Sequence, residues 1–216
     1  IKATSKEKTE YEEMKLEHAP EHTRAYIKIQ DGCNQFCSYC LIPFARGRIR
    51  SRQQKDVVTE VLNLAKLGVK EIVITGIHIS SYGLDREGSE LLDLLKKLHA
   101  IKGIERIRLS SLEPRIITPQ TAKAMASMPK LCPHFHLSLQ SGCENTLKRM
   151  NRHYTAKEYY EGVELLREVY DRPAITTDVI VGFPGETQEE FEQSRDFCKK
   201  VDFYEMHVFK YSIRKG

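Results

Sequence analysis

The sequence contains no tryptophan, and aromatic residues make up only 8% of its 216 residues. Broad base-stacking platforms, which need many exposed rings, are therefore not expected. No apolar run approaches the roughly 20 residues that a membrane-spanning helix needs, and the first ten residues lack the apolar segment of a signal peptide. We therefore expect no membrane partner and a cytoplasmic location.

Cysteine is scarce and unevenly distributed. Three of the six cysteines form a close triplet, Cys33, Cys37 and Cys40, and three are dispersed, Cys132, Cys143 and Cys198. This distribution does not resemble a small disulfide scaffold, and we expect the dispersed three to be buried as small apolar residues. The net charge of +4 and the pI near 8.6 permit a nucleic-acid partner without requiring one.

From residue 25 onward, short apolar runs alternate with amphipathic stretches. The apolar runs predict strands at 25–30, 71–75, 106–110, 134–139, 174–181 and 203–210, and helical spacing of apolar residues predicts helices at 56–67, 90–100, 118–125, 156–170 and 188–200. Such alternation implies parallel strands joined by right-handed crossovers. We predict an α/β domain over 25–216, a partial, open (β/α)6 TIM-like barrel. A flavodoxin-like open sheet is the alternative.

Residues 1–24 are dense in charge until His18-Ala-Pro20 interrupts the run. We interpret them as a linker from a preceding domain. The sequence also stops directly after the sixth predicted strand, at Gly216, with no covering helix. Both ends are therefore expected to be cuts within a larger protein.

The triplet lies just after the first predicted strand, with three and two residues between successive cysteines. Iron–sulfur cubanes normally take four cysteine ligands, so three suggest a cluster with one iron left for an exogenous ligand. Three other interpretations remain open. A thioredoxin-like pair would use Cys37 and Cys40, a zinc site would need a fourth ligand such as His22 or His78, and a disulfide would need an oxidising compartment.

Polar residues follow other predicted strands, where this architecture places chemistry. They are Glu113, Gln140, Asp178 and, about one helical segment after the fourth strand, Arg152. Singly, each is typical of a cap, a turn or a solvated side chain. Together with an open-iron triplet they predict a pocket for an amino acid and a ribose.

The pattern Cys-x3-Cys-x-Tyr-Cys resembles the signature of the radical S-adenosylmethionine (SAM) enzymes, whose common fold is a partial (β/α)6 barrel. The resemblance covers nearly the whole chain from Thr23 and is closest to the methylthiotransferase branch, through the stretches 32–34, 40–43, 45–47, 50–52, 139–142, 148–155 and 178–187. Within this branch, 27–33 and 44–52 look most like the bacterial members acting on threonylcarbamoyladenosine in tRNA.

The resemblance assigns residue roles. Cys33, Cys37 and Cys40 would ligate a [4Fe–4S] cluster whose fourth iron binds SAM. Tyr39 would lie near the adenine, Arg152 would pair with the SAM carboxylate, and Glu113, Gln140 and Asp178 would bind the amino and ribose groups. Many members carry Gly-Gly-Glu after the second strand, whereas this chain has Ile74-Thr-Gly-Ile-His78. Gly76 would then offer backbone contacts, and the role of His78 stays open.

The implied reaction is reductive cleavage of SAM to a 5′-deoxyadenosyl radical, and methylthiolation of the adenine beside the anticodon. The resemblance also implies partners: tRNA, an electron donor such as flavodoxin or ferredoxin, and a sulfur donor. A second [4Fe–4S] cluster and an RNA-binding C-terminal domain are expected in the full-length protein but not in this chain. We therefore expect SAM cleavage without complete methylthiolation.

Alternative substrates are isopentenyl-adenosine in tRNA and a ribosomal-protein aspartate, and the alternative class is a non-catalytic metal-binding RNA module. Arginine occupies every second position directly after the cysteine loop, at Arg46, Arg48, Arg50 and Arg52. Guanidinium groups suit phosphate contacts, so these residues are candidates for RNA binding. A solvated strand edge or internal pairing with acidic side chains would explain them equally well.

Overall fold

The structure is a computed structural model that describes residues 11–13, 24–87 and 90–213. The predicted linker lies almost wholly outside the described residues, as does His22. The described strands are β1 Arg24–Asp31, β2 Arg50–Ser51, β3 Glu71–Gly76, β4 Arg106–Leu109, β5 His134–His136, β6 Ala174–Val181 and β7 Glu205–Lys210. The described α-helices are α1 Ile42–Ala45, α2 Gln54–Lys66, α3 Leu91–His99, α4 Pro119–Ala126, α5 Glu144–Arg149, α6 Ala156–Val169 and α7 Gln188–Val201.

Six of these strands run parallel in chain order. One sheet has the order β2-β1-β3-β4, with β2 antiparallel at its edge, and the other has the order β5-β6-β7. A parallel bridge between Leu112 and Leu137 connects the two sheets just beyond β4 and β5. The parallel strands alone follow chain order, β1-β3-β4 and β5-β6-β7, whereas a flavodoxin-like sheet places its second parallel strand outside the first, in the order 2-1-3-4-5. The partial, unclosed barrel predicted from the sequence is therefore confirmed.

Local sequence signals explain where the helices begin. The Thr155 hydroxyl accepts from the Glu158 N–H at the start of α6, and the Glu158 carboxylate accepts from the Thr155 N–H. Thr187 and Glu190 form the same capping box at α7. The helices then contribute apolar residues to one core cluster, in which Val61 and Leu94 join strand residues such as Ile74. This packing fixes the strands so that their carboxyl ends and following loops meet at one end of the barrel.

The predicted elements differ from the observed ones mainly at their ends. β5 stops at His136 rather than at residue 139, because the chain beyond it makes only isolated bridges and Gln140 takes a left-handed φ of 68°. β7 begins at Glu205 because Asp202, in the left-handed conformation, ends α7. The short elements α1, β2 and α5 were not predicted. None of the described helices is long and apolar enough to cross a membrane.

Candidate metal and cofactor site

The three cysteines of the triplet line one pocket at the carboxyl end of β1. Cys33 and Cys37 are buried and Cys40 is half-buried. The loop starts at Gly32, whose φ is +71° and where an added Cβ would lie 1.9 Å from the carbonyl oxygen of Arg48. Only glycine fits this turn, which directs the following thiols into the pocket.

Three residues expected to contact SAM line the same pocket: Tyr39, Glu113 and Arg152. They come from different parts of the chain, since Tyr39 belongs to the cysteine loop, Glu113 follows β4 and Arg152 follows α5. His78, after β3, also lines the pocket, together with Gln35, Ser111 and Ser138, which were not singled out from the sequence. Because serine and glutamine are common in loops, nothing in their local sequence distinguished these three.

Arg152 is the cationic group of the pocket. Its Nη1 donates a hydrogen bond to Cys37 Sγ at 3.2 Å and its Nε donates to the Tyr154 hydroxyl at 3.0 Å. Burial alone lowers the pKa of Arg152, but Tyr154, Tyr39 and Cys37 outweigh it and raise the pKa above its usual value. The guanidinium therefore stays charged beside the thiols.

Glu113 is buried and already has a partner. Its Oε1 accepts a hydrogen bond from Arg115 Nε at 2.6 Å, and its backbone N–H donates to Ser80 Oγ at 2.9 Å. Its carboxylate is thus held at the pocket wall by a side chain from the next turn. A ligand amino group reaching Glu113 would share the carboxylate with Arg115.

His78 is held at the pocket rim by two contacts. Its backbone N–H donates to Gln30 Oε1 at 2.8 Å, and its Nδ1 lies 2.5 Å from Ser81 Oγ. Burial, together with the charges of Arg152 and Arg115, lowers the pKa of His78 to about 4. The imidazole is therefore neutral near pH 7.

Three other residues that the sequence analysis assigned to SAM binding do not line the pocket of the cysteines. Gly76 packs against the backbone and side chain of Gln30, where a Cβ would lie 2.9 Å from the carbonyl oxygen. Gln140 accepts a backbone hydrogen bond from Ile180. Asp178 lies on β6 with its Oδ2 3.4 Å from His136 Nε2.

Two of the four arginines that follow the cysteine loop pair with Asp31, the last residue of β1. Arg46 Nε donates to Asp31 Oδ1 at 3.0 Å, and Arg50 Nη2 lies 3.6 Å from Asp31 Oδ2. Burial of Asp31 raises its pKa, but the hydrogen bonds from Arg46 and Lys28 lower it by a larger amount. The resulting pKa is about 2, below the usual value for an aspartate. Arg48 is exposed, and its guanidinium lies 4.5 Å from the centre of the Phe36 ring.

The structure corrects the assignment of Arg52 as an RNA contact. Its side chain is only 1% exposed, its Nη1 lies 2.5 Å from Glu60 Oε2, and its Nε lies 2.8 Å from Glu13 Oε2. A guanidinium buried between two carboxylates cannot reach a phosphate. Arg52 is therefore a structural residue, in line with the alternative of internal pairing.

The donor set around the pocket fits an iron–sulfur cluster with an open coordination site. Three thiols face one opening, and the guanidinium of Arg152 lies beside Cys37. Burial, with the neighbouring Cys37 and Cys40, raises the pKa of Cys33, and a metal binds that residue as the thiolate. Within the described ranges, no three His, Cys, Asp or Glu side chains are arranged to hold one metal ion.

The sequence model of the Radical SAM superfamily matches residues 27–198. Among solved structures, the radical SAM methyltransferase TsrM from Kitasatospora setae superposes with a TM-score of 0.71 at 20% identity, covering 86% of this chain and 36% of that one. Coproporphyrinogen III oxidase (HemN) from Escherichia coli gives 0.61 at 19% identity, over 88% of this chain and 44% of that one. At such identities these likenesses show the shared fold alone.

Curated relatives are closer in sequence. The chain is 46% identical to the tRNA-2-methylthio-N(6)-dimethylallyladenosine synthase of Caldicellulosiruptor saccharolyticus, over 91% of this chain and 42% of that protein. It is 43% identical to the threonylcarbamoyladenosine tRNA methylthiotransferase MtaB of Bacillus subtilis, over 95% and 46%, and 45% identical to the MtaB of Aquifex aeolicus, over 90% and 47%. The chain thus spans less than half the length of these relatives.

Proposed function

The chain belongs to the radical SAM superfamily, and on that basis we propose that it is the SAM-cleaving core of a tRNA methylthiotransferase. The observation that carries the proposal is the convergence of three thiols, a buried carboxylate and a charged guanidinium on one pocket at the strand ends. The relatives named for tRNA methylthiolation support it, since they match over at least 90% of this chain.

In this proposal, Cys33, Cys37 and Cys40 hold a [4Fe–4S] cluster, which when bound supplies the electron that breaks a carbon–sulfur bond of SAM. Arg152 offers a planar pair of donors to the SAM carboxylate. Glu113 accepts from the amino group, and Tyr39 lines the adenine side. Gly76, Gln140 and Asp178 remain proposed contacts for the rest of SAM, although they lie outside the lining of the cysteine pocket.

The proposed RNA contact centres on Arg48. Arg46 and Arg50 share the charge of Asp31, whereas the guanidinium of Arg48 is exposed and stacks on Phe36. It lies in the segment that follows the cysteine loop, so a phosphate bound there would lie near the pocket mouth. The target base would be flipped from its loop toward the pocket.

The proposed substrate is threonylcarbamoyladenosine beside the anticodon, on the strength of the stretches 27–33 and 44–52. The alternative is dimethylallyladenosine, favoured by the relative with 46% identity. An electron donor such as flavodoxin or ferredoxin, a sulfur donor and a second cluster carried elsewhere in the full-length protein complete the proposal.

Anaerobic reconstitution tests the core function. We expect about four irons and four sulfides per chain, as in a cubane, and formation of 5′-deoxyadenosine with dithionite and SAM. The variant Cys37→Ala should lose both. A fully loaded cluster that takes up SAM but yields no 5′-deoxyadenosine would remove the main support for the proposal. Methylthiolated tRNA made by this chain alone would contradict the need for a second cluster.

The substrate is tested by expressing the full-length protein in two strains. One lacks the methylthiotransferase for threonylcarbamoyladenosine, and the other lacks the methylthiotransferase for dimethylallyladenosine. Mass spectrometry of digested tRNA should show the 2-methylthio derivative of threonylcarbamoyladenosine restored in one strain. Restoration of the dimethylallyladenosine derivative instead would select the alternative.

A further inference from the structure

Two segments far apart in sequence are hydrogen-bonded along the outside of the cysteine pocket. Residues 35–38 belong to the cysteine loop, and residues 149–153 form the end of α5 and the turn after it. Ser38 N–H donates to the carbonyl of Met150 at 3.1 Å, and Ser38 Oγ donates to that of Arg149 at 2.8 Å. At the other end, His153 Nδ1 lies 2.9 Å from Gln35 Oε1.

Asn151 lies at the centre of this junction. Its Nδ2 donates to the carbonyl oxygen of Phe36 at 2.9 Å and lies 3.4 Å from that of Gln35. The amide therefore binds the two residues directly before Cys37. The next residue, Arg152, contacts the Cys37 thiol itself at 3.2 Å.

The backbone at this point is strained on both sides. Phe36 has a φ of 52° and Asn151 a φ of 54°, both in the left-handed region. Asparagine tolerates that region better than most residues, whereas a bulky aromatic residue adopts it only where its surroundings enforce it. The hydrogen bond from Asn151 to the Phe36 carbonyl is one such constraint, and the stacking of Arg48 on the Phe36 ring is another.

Asparagine satisfies both requirements of the position. Glycine would adopt the left-handed conformation but has no side chain to donate. Aspartate would retain the conformation and size, but its carboxylate would face two carbonyl oxygens. The junction thus depends on the amide group rather than on the turn alone.

We propose that Asn151 is a positioning residue for the cysteine loop. By holding Phe36 in its left-handed conformation, its amide directs Cys37 toward Arg152 before any cluster is bound. Cys33 is held separately, through the hydrogen bond from its N–H to the Gly47 carbonyl at 3.1 Å. Loss of the amide should therefore release Cys37 more than Cys33. The link to a cluster depends on the proposed function, whereas the hold on the loop does not.

The test uses the reduced, metal-free chain, short pulses of iodoacetamide and fragment-ion mass spectrometry that assigns the label to each cysteine, because Cys33, Cys37 and Cys40 share one tryptic peptide. In Asn151→Gly and Asn151→Asp, alkylation of Cys37 should be about two- to ten-fold faster than in the wild type, which is the range expected for one lost hydrogen bond. The rates at Cys33, Cys132 and Cys198 should stay unchanged. The matched control is Asn63→Asp, an exposed position on α2.

An unchanged Cys37 rate in both variants would overturn the proposal. So would an equal acceleration at every cysteine, because that indicates general destabilisation. If Asn151→Gly does not fold, Asn151→Asp alone decides, since it keeps the turn. These outcomes are independent of SAM cleavage, so failure of the proposed function would leave the positioning role standing, and the reverse also holds.

Discussion

The guanidinium of Arg152 and the thiol of Cys37, 115 residues apart in sequence, lie 3.2 Å apart in the pocket. The same guanidinium stacks 4.7 Å from the centre of the Tyr154 ring, while the Tyr154 hydroxyl is hydrogen-bonded to the carbonyls of Ser138 and Leu139. Through Tyr154, Arg152 is thus anchored to the segment that follows β5 and reaches the cysteine loop, so it can contact both a metal ligand and a bound carboxylate.

Arg152→Ala should weaken SAM binding by about ten-fold or more, since it removes charge-assisted hydrogen bonds to the carboxylate. Arg172→Ala, the matched control at an exposed arginine just before β6 and outside the pocket, should change the dissociation constant by less than about two-fold. Anaerobic equilibrium dialysis of the reconstituted proteins measures both. Equal losses in the two variants would refute the assignment of Arg152.

Arg48→Glu should weaken tRNA binding and reduce the slope of log K against log salt by about one, because one phosphate contact is lost. Arg172→Glu is the control, since Arg172 lies before β6, at the opposite end of the strands from the cysteine loop. Filter binding at several salt concentrations gives both slopes. A slope unchanged by Arg48→Glu would remove Arg48 from the RNA surface.

Gly32→Ala should destabilise the chain by roughly 3 kcal/mol or more, because a Cβ adds an overlap with the Arg48 backbone to the strain of a left-handed conformation. Gly182→Ala isolates that strain: Gly182 has a φ of +70° and nothing within 4 Å of an added Cβ. It should lose only about 1 kcal/mol. Urea unfolding followed by circular dichroism compares them, and equal losses would mean that the close approach at Gly32 is unimportant.

Arg52→Ala should lower the free energy of unfolding by about 3 to 5 kcal/mol, because it breaks the buried ion pair between Arg52 and Glu60. Arg48→Ala should lower it by less than about 1 kcal/mol. Chemical denaturation distinguishes a structural arginine from a surface one. A small effect at Arg52, with a loss of tRNA affinity, would restore it as an RNA contact.

The pH dependence of stability should be altered by Glu71→Gln. Hydrogen bonds from Arg106, and then from Arg108, lower the pKa of the buried Glu71 carboxyl despite desolvation. A lowered pKa gives stability that is present above the ordinary glutamate value, about 4.3, and is lost as the pH falls further. The variant should be less stable by about 1 kcal/mol at pH 7, and the difference should vanish at low pH. A difference independent of pH would exclude the ion pairs as its cause.

Much of the fold could be predicted, because the spacing of apolar residues differs between strands and helices and the two patterns alternate along the chain. The predicted range of β6 is identical to the observed one, and α2, α3, α4, α6 and α7 differ from their predictions by no more than two residues at either end. Short elements such as β2 and α5 have too few apolar positions to show a period, so they were missed. These short elements matter for the site, since the turn that carries Arg152 directly follows α5.

The sequence located the cysteine loop but not the environment of each polar side chain. Arg52 is buried and pairs with Glu60 and with the distant Glu13, whereas Arg48 is exposed. Nothing in the sequence around these two arginines distinguishes them. Such pairing depends on tertiary contacts that composition and spacing do not encode. The hydrogen bonds of Asn151 were missed for the same reason, since both acceptors lie 115 or 116 residues earlier in the chain.

The same separation has a consequence for biosynthesis. At roughly 5 to 20 residues per second, the segment around Arg152 leaves the ribosome about 6 to 23 s after Cys37. During that interval Phe36 lacks its hydrogen bond from Asn151, and Cys37 lacks its contact with Arg152. Ordering of the site, and with it insertion of any metal group, must therefore follow translation of most of the barrel.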